Sequence, residues 1–428
     1  MAQIKPILVF GSMFASVVLA PALAAPAKKT DAKPAPAAVK QVVTGPVEKY
    51  WVSSATTSGM GLGAGKPSMG TMMNMLGGGD TVSHTLNLRL GSSQAASGEP
   101  AATHLPPPGL KVKELPLYWQ ATPTGPATPV EEHEQKAYEP PKGKILIFWG
   151  CGEHVPANQP VVVDLSKITD PSARGAEFKK LSAHLTLDGA VGPLPSNWKT
   201  YAEWPNPKFK PKDIKGDSSL VGAHSVKSNY GPQIDFTLDA NQDFMPAIDV
   251  TGNAATASGA NTLTWAPING AKGIVATAIG GGQDTVVLWT SAAMQTDWFV
   301  SPDYLTPNDI SRLLANKALL PGEATTCTVP AEAVKAMSTG IYGITAYGQE
   351  VNLVYPQRPA DPKLAWNIQW ETKVRYRSST GGMLGQSLGG TAANDSSEVT
   401  PANGDKPKKK KRSLMGEIVK QGVGGLIP

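Results

Sequence analysis

The sequence predicts an all-β protein: two β-sandwich regions, long Gly/Pro-rich loops and one short helix near 307–317. Three observations carry this expectation. The 428 residues include 44 Gly and 38 Pro, well above the roughly 12% of average usage, and these are the two worst residues for a helix interior. Short apolar or alternating runs recur between Gly and Pro clusters, the pattern of stacked sheets rather than of alternating βα units. Charged residues are only 17%, while 41% hydrophobic content with 10 Trp argues against a wholly disordered chain.

The first 24 residues read as a secretory signal. Lys5 supplies the positive start, 7–19 the apolar stretch and Ala22-Leu23-Ala24 a small-residue cleavage site. The apolar stretch is too short for a spanning helix, and no later segment passes as one. The mature chain is expected to begin near Ala25 with an Ala/Pro/Lys linker (25–46), which has too few large apolar residues to fold.

A first β-rich domain is expected over 47–250. Residues 47–59 and His84–Leu90 alternate, with a Gly/Met-rich loop between them. Leu115–Trp119 is an apolar island in a Pro-rich stretch. Continuous apolar runs follow at 145–150 and 160–165, and alternating runs at 182–188 and 233–238.

The second region, 257–378, offers strands at 261–265, 273–279, 285–290, 325–329, 341–346, 350–355 and 366–377. Its helix is signalled by Thr306 as N-cap, Pro307 at the first helical position, and Ile310, Leu313 and Leu314 on one face. Residues 379–428 are Gly/Ser/Asn/Lys-rich and read as a disordered basic tail.

Residues 262–280 (TLTWAPINGAKGIVATAIG) resemble the start of a fibronectin type III module, in which a strand bearing a core Trp passes through a Pro/Gly/Ala turn into the next strand. The resemblance implies that Trp265 is that core Trp and that 257–378 form one seven-strand sandwich. Both β regions are accordingly expected to be Ig/fibronectin-like.

Formal net charge is +5. Residues 405–428 hold seven basic and two acidic side chains, so the remaining chain is neutral. A basic nucleic-acid-binding core finds no support.

Several short motifs evoke catalysis and fail on context. Gly385–Gly389 fits G-x-S-x-G and resembles a lipase elbow, but that fold needs a His after Ser387, and the last histidine is His224. Gly216-Asp217-Ser218 lacks a preceding strand. Gly59–Ser68 lacks the first P-loop glycine and carries Pro67 where Ser or Thr is needed.

Asp239, Asn241 and Asp243 have the D-x-N-x-D spacing of a calcium loop, although Phe244 stands in place of the loop glycine, and an Asx-rich turn is the competing reading. Cys151 and Cys327 are the only cysteines. In an exported chain a Cys151–Cys327 disulfide is the simplest reading. Inert buried thiols, a metal role beside Glu153 and His154, and a Cys151 nucleophile are the alternatives.

Two segments suggest contact with an anionic partner. Trp198, Lys199, Tyr201, Trp204, Lys208, Phe209, Lys210 and Lys212 interleave rings and ammonium groups, suiting an anionic polymer or polysaccharide. A long loop pinned by its Trp residues is the plainer reading. The tail has six basic residues in the seven positions 406–412, followed by Leu414, Met415, Ile418 and Val419, which suits an anionic envelope surface.

The expected protein is therefore an exported envelope β-sandwich with a binding or structural role. The rival expectation is a hydrolase of envelope polysaccharide or peptide using Cys151 or a carboxylate pair drawn from Asp164, Glu203, Asp235 and Asp249.

Overall fold

A computed structural model describes residues 40–59, 82–119, 143–167, 176–177, 179–181, 192–205, 214–282, 284–296 and 302–385. The signal segment, the expected strand at 182–188, and residues 386–428 with the elbow-like motif and basic tail lie outside the described residues. So does the P-loop-like stretch beyond Gly59.

The fold is all-β. In chain order the first strands are β1 (Val43–Thr44), β2 (Glu48–Thr57), β3 (Ser83–Ser92), β4 (Ala102–Leu105), β5 (Leu115–Trp119), β6 (Lys144–Trp149) and β7 (Val161–Asp164). There follow β8 (Thr200–Trp204), β9 (Ile214–Lys215), β10 (Gly222–Ser228), β11 (Ile234–Leu238), β12 (Val250–Ala255), β13 (Asn261–Trp265), β14 (Gly273–Gly281) and β15 (Thr285–Thr290). The last elements are helix α1 (Pro307–Ala315), β16 (Leu320–Pro321), β17 (Thr326–Val329), helix α2 (Ala331–Met337), β18 (Gly340–Tyr355), β19 (Trp366–Asn367) and β20 (Trp370–Met383).

One sheet runs β11-β10-β4-β5-β8-β3-β2-β20-β18-β14-β15-β6-β7, and a separate layer runs β12-β13-β17. The expected division between 47–250 and 257–378 does not separate two sheets. Strand β2 pairs in parallel with β20 from Glu48↔Trp370 to Thr57↔Ser379, and β6 pairs in parallel with β15 from Lys144↔Thr285 to Trp149↔Thr290. Each pairing satisfies backbone donors and acceptors that a free edge would expose.

The large sheet folds back on itself. Strands β2 and β4 are four spacings apart in its order, about 19 Å if flat. Yet the Tyr50 hydroxyl on β2 lies 2.7 Å from His104 Nδ1 on β4, and the Tyr50 and Phe236 rings are 6.4 Å apart. The sheet therefore encloses Tyr50, Val52, Leu88, Leu90, Val226 and Ile234 between its own faces. Alternation drives this: Leu86, Leu88 and Leu90 of β3 and Ile234, Phe236 and Leu238 of β11 face inward, while their polar neighbours face out.

The β12-β13-β17 layer packs over β14, β15 and β18, burying Leu263, Trp265, Val329, Trp289, Tyr342 and Ile344 in the same core. Trp265 is 2% exposed, and its indole N–H donates to Ala324 O at 2.7 Å. Helix α1 forms as its signals predict. Thr306 and Asp309 make a reciprocal cap, and Ile310 and Leu313 pack on Val275, Leu319 and Tyr347.

The sequence expectation named one helix; α2 is a second. It sits on β14 where a Cβ at Gly280 would meet Met337 Cβ at 2.7 Å, so that close approach requires glycine. Two boundaries also move. The expected linker ends in β1, paired with β19, and the expected tail loses 379–383 to β20, because those residues pair with 341–345 of β18.

Cys151 and Cys327 form the expected disulfide, with Cα atoms 5.2 Å apart. Cys151 follows β6, whereas Cys327 lies on β17, the outer strand of the other layer. Beside the bridge, Gly152 N donates to Thr328 O and Ala331 N to Glu153 O, at 2.9 and 3.0 Å. The bridge thus pins a short segment along the outer edge of β17.

It closes 176 residues, which the chain-entropy model values at roughly 5 kcal/mol. Replacing both cysteines by serine is expected to lower the unfolding free energy by about 2–5 kcal/mol. Urea unfolding of the oxidised chain beside the double variant measures this, and equal midpoints would show that layer packing alone sets the stability.

Candidate functional site

The candidate site is a row of cations on the outer face of the large sheet. Alternation on β20 places Glu371, Lys373, Arg375 and Arg377 on one face, with Val374 and Tyr376 turned to the core. The register brings Trp51 of β2 opposite Lys373 and Ser53 opposite Arg375. Arg89 of β3 stands opposite Trp51, and Glu350 of β18 opposite Arg375.

Aromatic rings hold these cations in place. The Arg375 guanidinium lies 4.6 Å from the Trp51 ring centre and 4.4 Å from that of Tyr304, and it donates to Ser53 Oγ at 2.8 Å. Lys373 Nζ stands 4.8 Å above Trp51 and 2.7 Å from Glu350. Arg377 lies 5.3 Å from the Tyr304 ring and donates to Asp303 at 3.0 Å. Burial lowers Arg375 to about 10, against the opposing pull of Tyr304 and Glu350, so it stays charged at neutral pH.

Arg375 and Arg377 are only 8% and 7% exposed. The rings are already engaged by cations, each contact contributing on the order of 1 kcal/mol. With Lys373 paired to Glu350, Arg377 to Asp303 and Arg375 held between two rings, the row ties β20 to β2, β18 and the loop before α1; it is not an open platform for a partner.

Two buried polar clusters flank the folded-over core. In the first, Tyr50 donates to His104 Nδ1, His104 Nε2 donates to His224 Nδ1 at 2.9 Å, and His224 Nε2 donates to Leu220 O at 2.7 Å. Those roles follow from the carbonyl at the end, which only accepts and so fixes both tautomers. Burial, then the neighbouring His224, holds His104 down to about 3. Both rings are neutral and every ring nitrogen is used, which makes this chain a core strut.

The second cluster centres on Glu48, 1% exposed. Its Oε1 accepts from Ser228 Oγ at 3.0 Å. Burial pushes its carboxyl up to about 7, the Ser228 bond opposing in part. Gly231 lies against the carboxyl, leaving no room for a Cβ.

The residues singled out from sequence are distributed as follows. Tyr201 and Trp204 are 2% and 6% exposed on β8, and Trp198 packs over Gly91. These aromatics therefore form no accessible ribbon, because the segment is a paired strand with β3 and β5 on its two sides. Lys199 is exposed beside them. Lys208, Phe209, Lys210 and Lys212 lie outside the described residues.

The expected calcium loop is a turn with other tasks. Asp239 accepts from Asn241 N and caps a short 3-10 turn. Asp243 is turned instead to Ser219 Oγ and Leu220 N, both at 2.7 Å. The two aspartates thus serve separate structural bonds, and among the described residues no cluster of His, Cys, Asp or Glu is arranged for a metal ion.

With both sulfurs bridged, Cys151 is no thiolate nucleophile. Glu153 accepts from Thr256 and Ser258, and His154 pairs with Glu332 at 3.0 Å, so that cluster ties loops together. Asp164 accepts from Ser166, Glu203 from Tyr201, and Asp235 from Gln233. These carboxylates and Asp249 lie on or beside β7, β8, β11 and β12, four separate elements.

The cation row itself was missed from sequence. Its only local signal is the period-2 run Lys373-Val374-Arg375-Tyr376-Arg377. Trp51 and Tyr304, which organise it, come from distant parts of the chain.

Glu48 makes stability depend on pH. Its carboxyl keeps a proton to about 7 when folded but gives it up near 4.5 when unfolded. Its contribution is complete below 4.5 and is lost as pH rises through 7, up to about 3 kcal/mol. Glu48→Gln is expected to flatten that part of the stability profile. Urea unfolding from pH 5 to 8 measures it, and identical slopes would remove Glu48 as the cause.

Comparison of the chain with family models, curated proteins and solved structures finds no match.

Proposed function

We propose that this chain is an exported cell-envelope protein, periplasmic, outer-surface or extracellular, with a binding or structural role. The observation that carries the reading is the Cys151–Cys327 bridge, since structural disulfides persist in oxidising compartments. The signal-like first 24 residues point the same way.

The region 257–378 is proposed to be a fibronectin type III-like sandwich. Supporting this, β13 and β17 pair in one layer, β20-β18-β14-β15 run consecutively in the other, and Trp265 is buried in the core between them; the strands expected at 341–346 and 350–355 are the single strand β18. Helix α1 is an insertion between the layers' strands.

Binding is proposed to involve an acidic surface or polysaccharide, with the basic tail 405–428 as the contacting group. The six basic residues at 406–412 support this, since each basic side chain near an anionic surface contributes on the order of 1 kcal/mol.

Export is tested by fractionating expressing cells and alkylating thiols before lysis. The expected result is an envelope or medium fraction with a start near Ala25 and both cysteines protected. Retention in the cytoplasm with two alkylated thiols overturns the reading. Removing 405–428 is expected to weaken co-sedimentation with anionic envelope fragments at low salt, while leaving thermal melting unchanged. Equal sedimentation would remove the tail from the binding role.

A further inference from the structure

The loop joining β18 to β20 closes on the start of the described chain and forms a braced tip. Gln41 Nε2 donates to Leu364 O at 3.0 Å, and Arg358 Nε donates to Gln41 Oε1 at 2.8 Å. Trp366 Nε1 donates to Pro356 O at 2.9 Å, with the Arg358 guanidinium 5.6 Å from the Trp366 ring centre. Strands β1 and β19 pair beneath this clasp.

A tip so well bonded still turns its apolar side chains outward. Val42 is 63% exposed, Val43 50%, Tyr355 51% and Leu364 58%. They are four of the nine large hydrophobic side chains exposed among the described residues. The other five are scattered over separate elements, as single exposed residues commonly are. Apolar groups gathered on one rigid unit call for a partner.

The charges around them indicate which partner. Arg358 and Lys363 are exposed on the tip, against one acidic residue, Asp361. The nearby Lys49 and Glu371 pair with each other at 3.2 Å and add no net charge. Exposed apolar groups, a Tyr and a Trp, and two exposed cations on one small tip are the residue types that suit a lipid interface. Hydrocarbon lies innermost, amphipathic rings at the headgroups and anionic phosphates outside.

We propose that this tip docks into the headgroup layer of an anionic lipid bilayer. Val42, Val43 and Leu364 reach the acyl boundary, Tyr355 and Trp366 sit at the headgroups, and Arg358 and Lys363 meet phosphate. This contact goes beyond the envelope reading above and does not depend on residues 405–428.

The test uses the full chain, and the chain lacking 405–428, each carrying one added cysteine labelled with an environment-sensitive dye. Leu364→Cys places the dye on the tip, and Glu323→Cys places it on an exposed loop elsewhere. Vesicles of phosphatidylglycerol are compared with vesicles of phosphatidylcholine. The expected result is a blue shift for the Leu364→Cys probe with phosphatidylglycerol, weaker with phosphatidylcholine, with or without the tail, and none for Glu323→Cys.

Two unlabelled variants test the same surface from its apolar and its charged side. The combined Val43→Ser, Leu364→Ser variant is expected to lose about tenfold in vesicle affinity, or roughly 1.4 kcal/mol. Lys363→Glu, an exposed change that leaves the clasp intact, is expected to weaken binding in the same direction.

No shift at Leu364→Cys, or equal shifts at both probes, overturns the proposal. So does an equal response to both lipids. A shift without vesicles that grows with protein concentration assigns the tip to a second copy of this chain instead. A shift abolished by removing 405–428 also overturns it and leaves the tail reading standing. A tip shift that persists while tail removal changes no binding overturns the tail reading alone.

Discussion

Strand β20 is paired on both sides from Trp370 to Ser379, and that condition organises the molecule. One side is paired with β18 from Ile341↔Met383 to Tyr355↔Trp370, the other with ten residues of β2. A strand paired on both sides must bury or compensate both faces. Its inner face does so with Trp370, Val374 and Tyr376 in the core. Its outer face carries Lys373, Arg375 and Arg377, which need rings and carboxylates over them. The parallel register with β2 supplies Trp51 and Ser53, the antiparallel register with β18 supplies Glu350, and the loop before α1 supplies Tyr304 and Asp303. A one-residue slip of β2 would turn Trp51 inward and leave Tyr50 outside, exchanging core for cation row.

The same pairing explains the buried polar groups. Once β2 is fixed against β20 and β3, the fold-over of the sheet brings β4, β10 and β11 onto its inner face. Polar side chains there have no water, so each must find a partner within the core. Tyr50, His104 and His224 do so in a line that ends on the Leu220 carbonyl. Glu48, at the start of β2, meets the chain turn at Ser228–Gly231 and is better held protonated than charged. Both clusters are consequences of closing the sheet, and neither has the exposure that chemistry on a substrate would need.

What could be read from sequence divides along the distance between partners. Strands β3, β11 and β13 to β15 were legible because each alternates or runs apolar within a few residues. Helix α1 was legible because Thr306-Pro307 and the spacing of Ile310, Leu313 and Leu314 are local signals. The bridge was legible because only two cysteines exist. Helix α2 was not, since Ala331–Met337 is too short for a helical period to stand out. Strand β8 was read as part of a long loop because Pro205, Pro207 and Pro211 follow its aromatics, and Tyr201 and Trp204, on opposite faces of the strand, are in fact both buried. The cation row could not be assembled at all, because β2 and β20 are separated by more than half the chain and nothing local records their register.

Geometry also separates the two proposed contacts. Tip residues 356–369 precede one end of β20, and the described chain leaves its other end at Gly385. Strand β20 has 14 residues, about 45 Å of extended backbone at roughly 3.3 Å each. A tip that enters lipid and a tail attached beyond Gly385 therefore start from opposite ends of one rigid strand. The tip works by burying Val42, Val43 and Leu364, a term that salt does not screen. The contact proposed for the tail rests on charge, which salt does screen. If both operate, raising the salt strips the tail's share and leaves the apolar share of the tip, so binding should fall to a plateau rather than to zero.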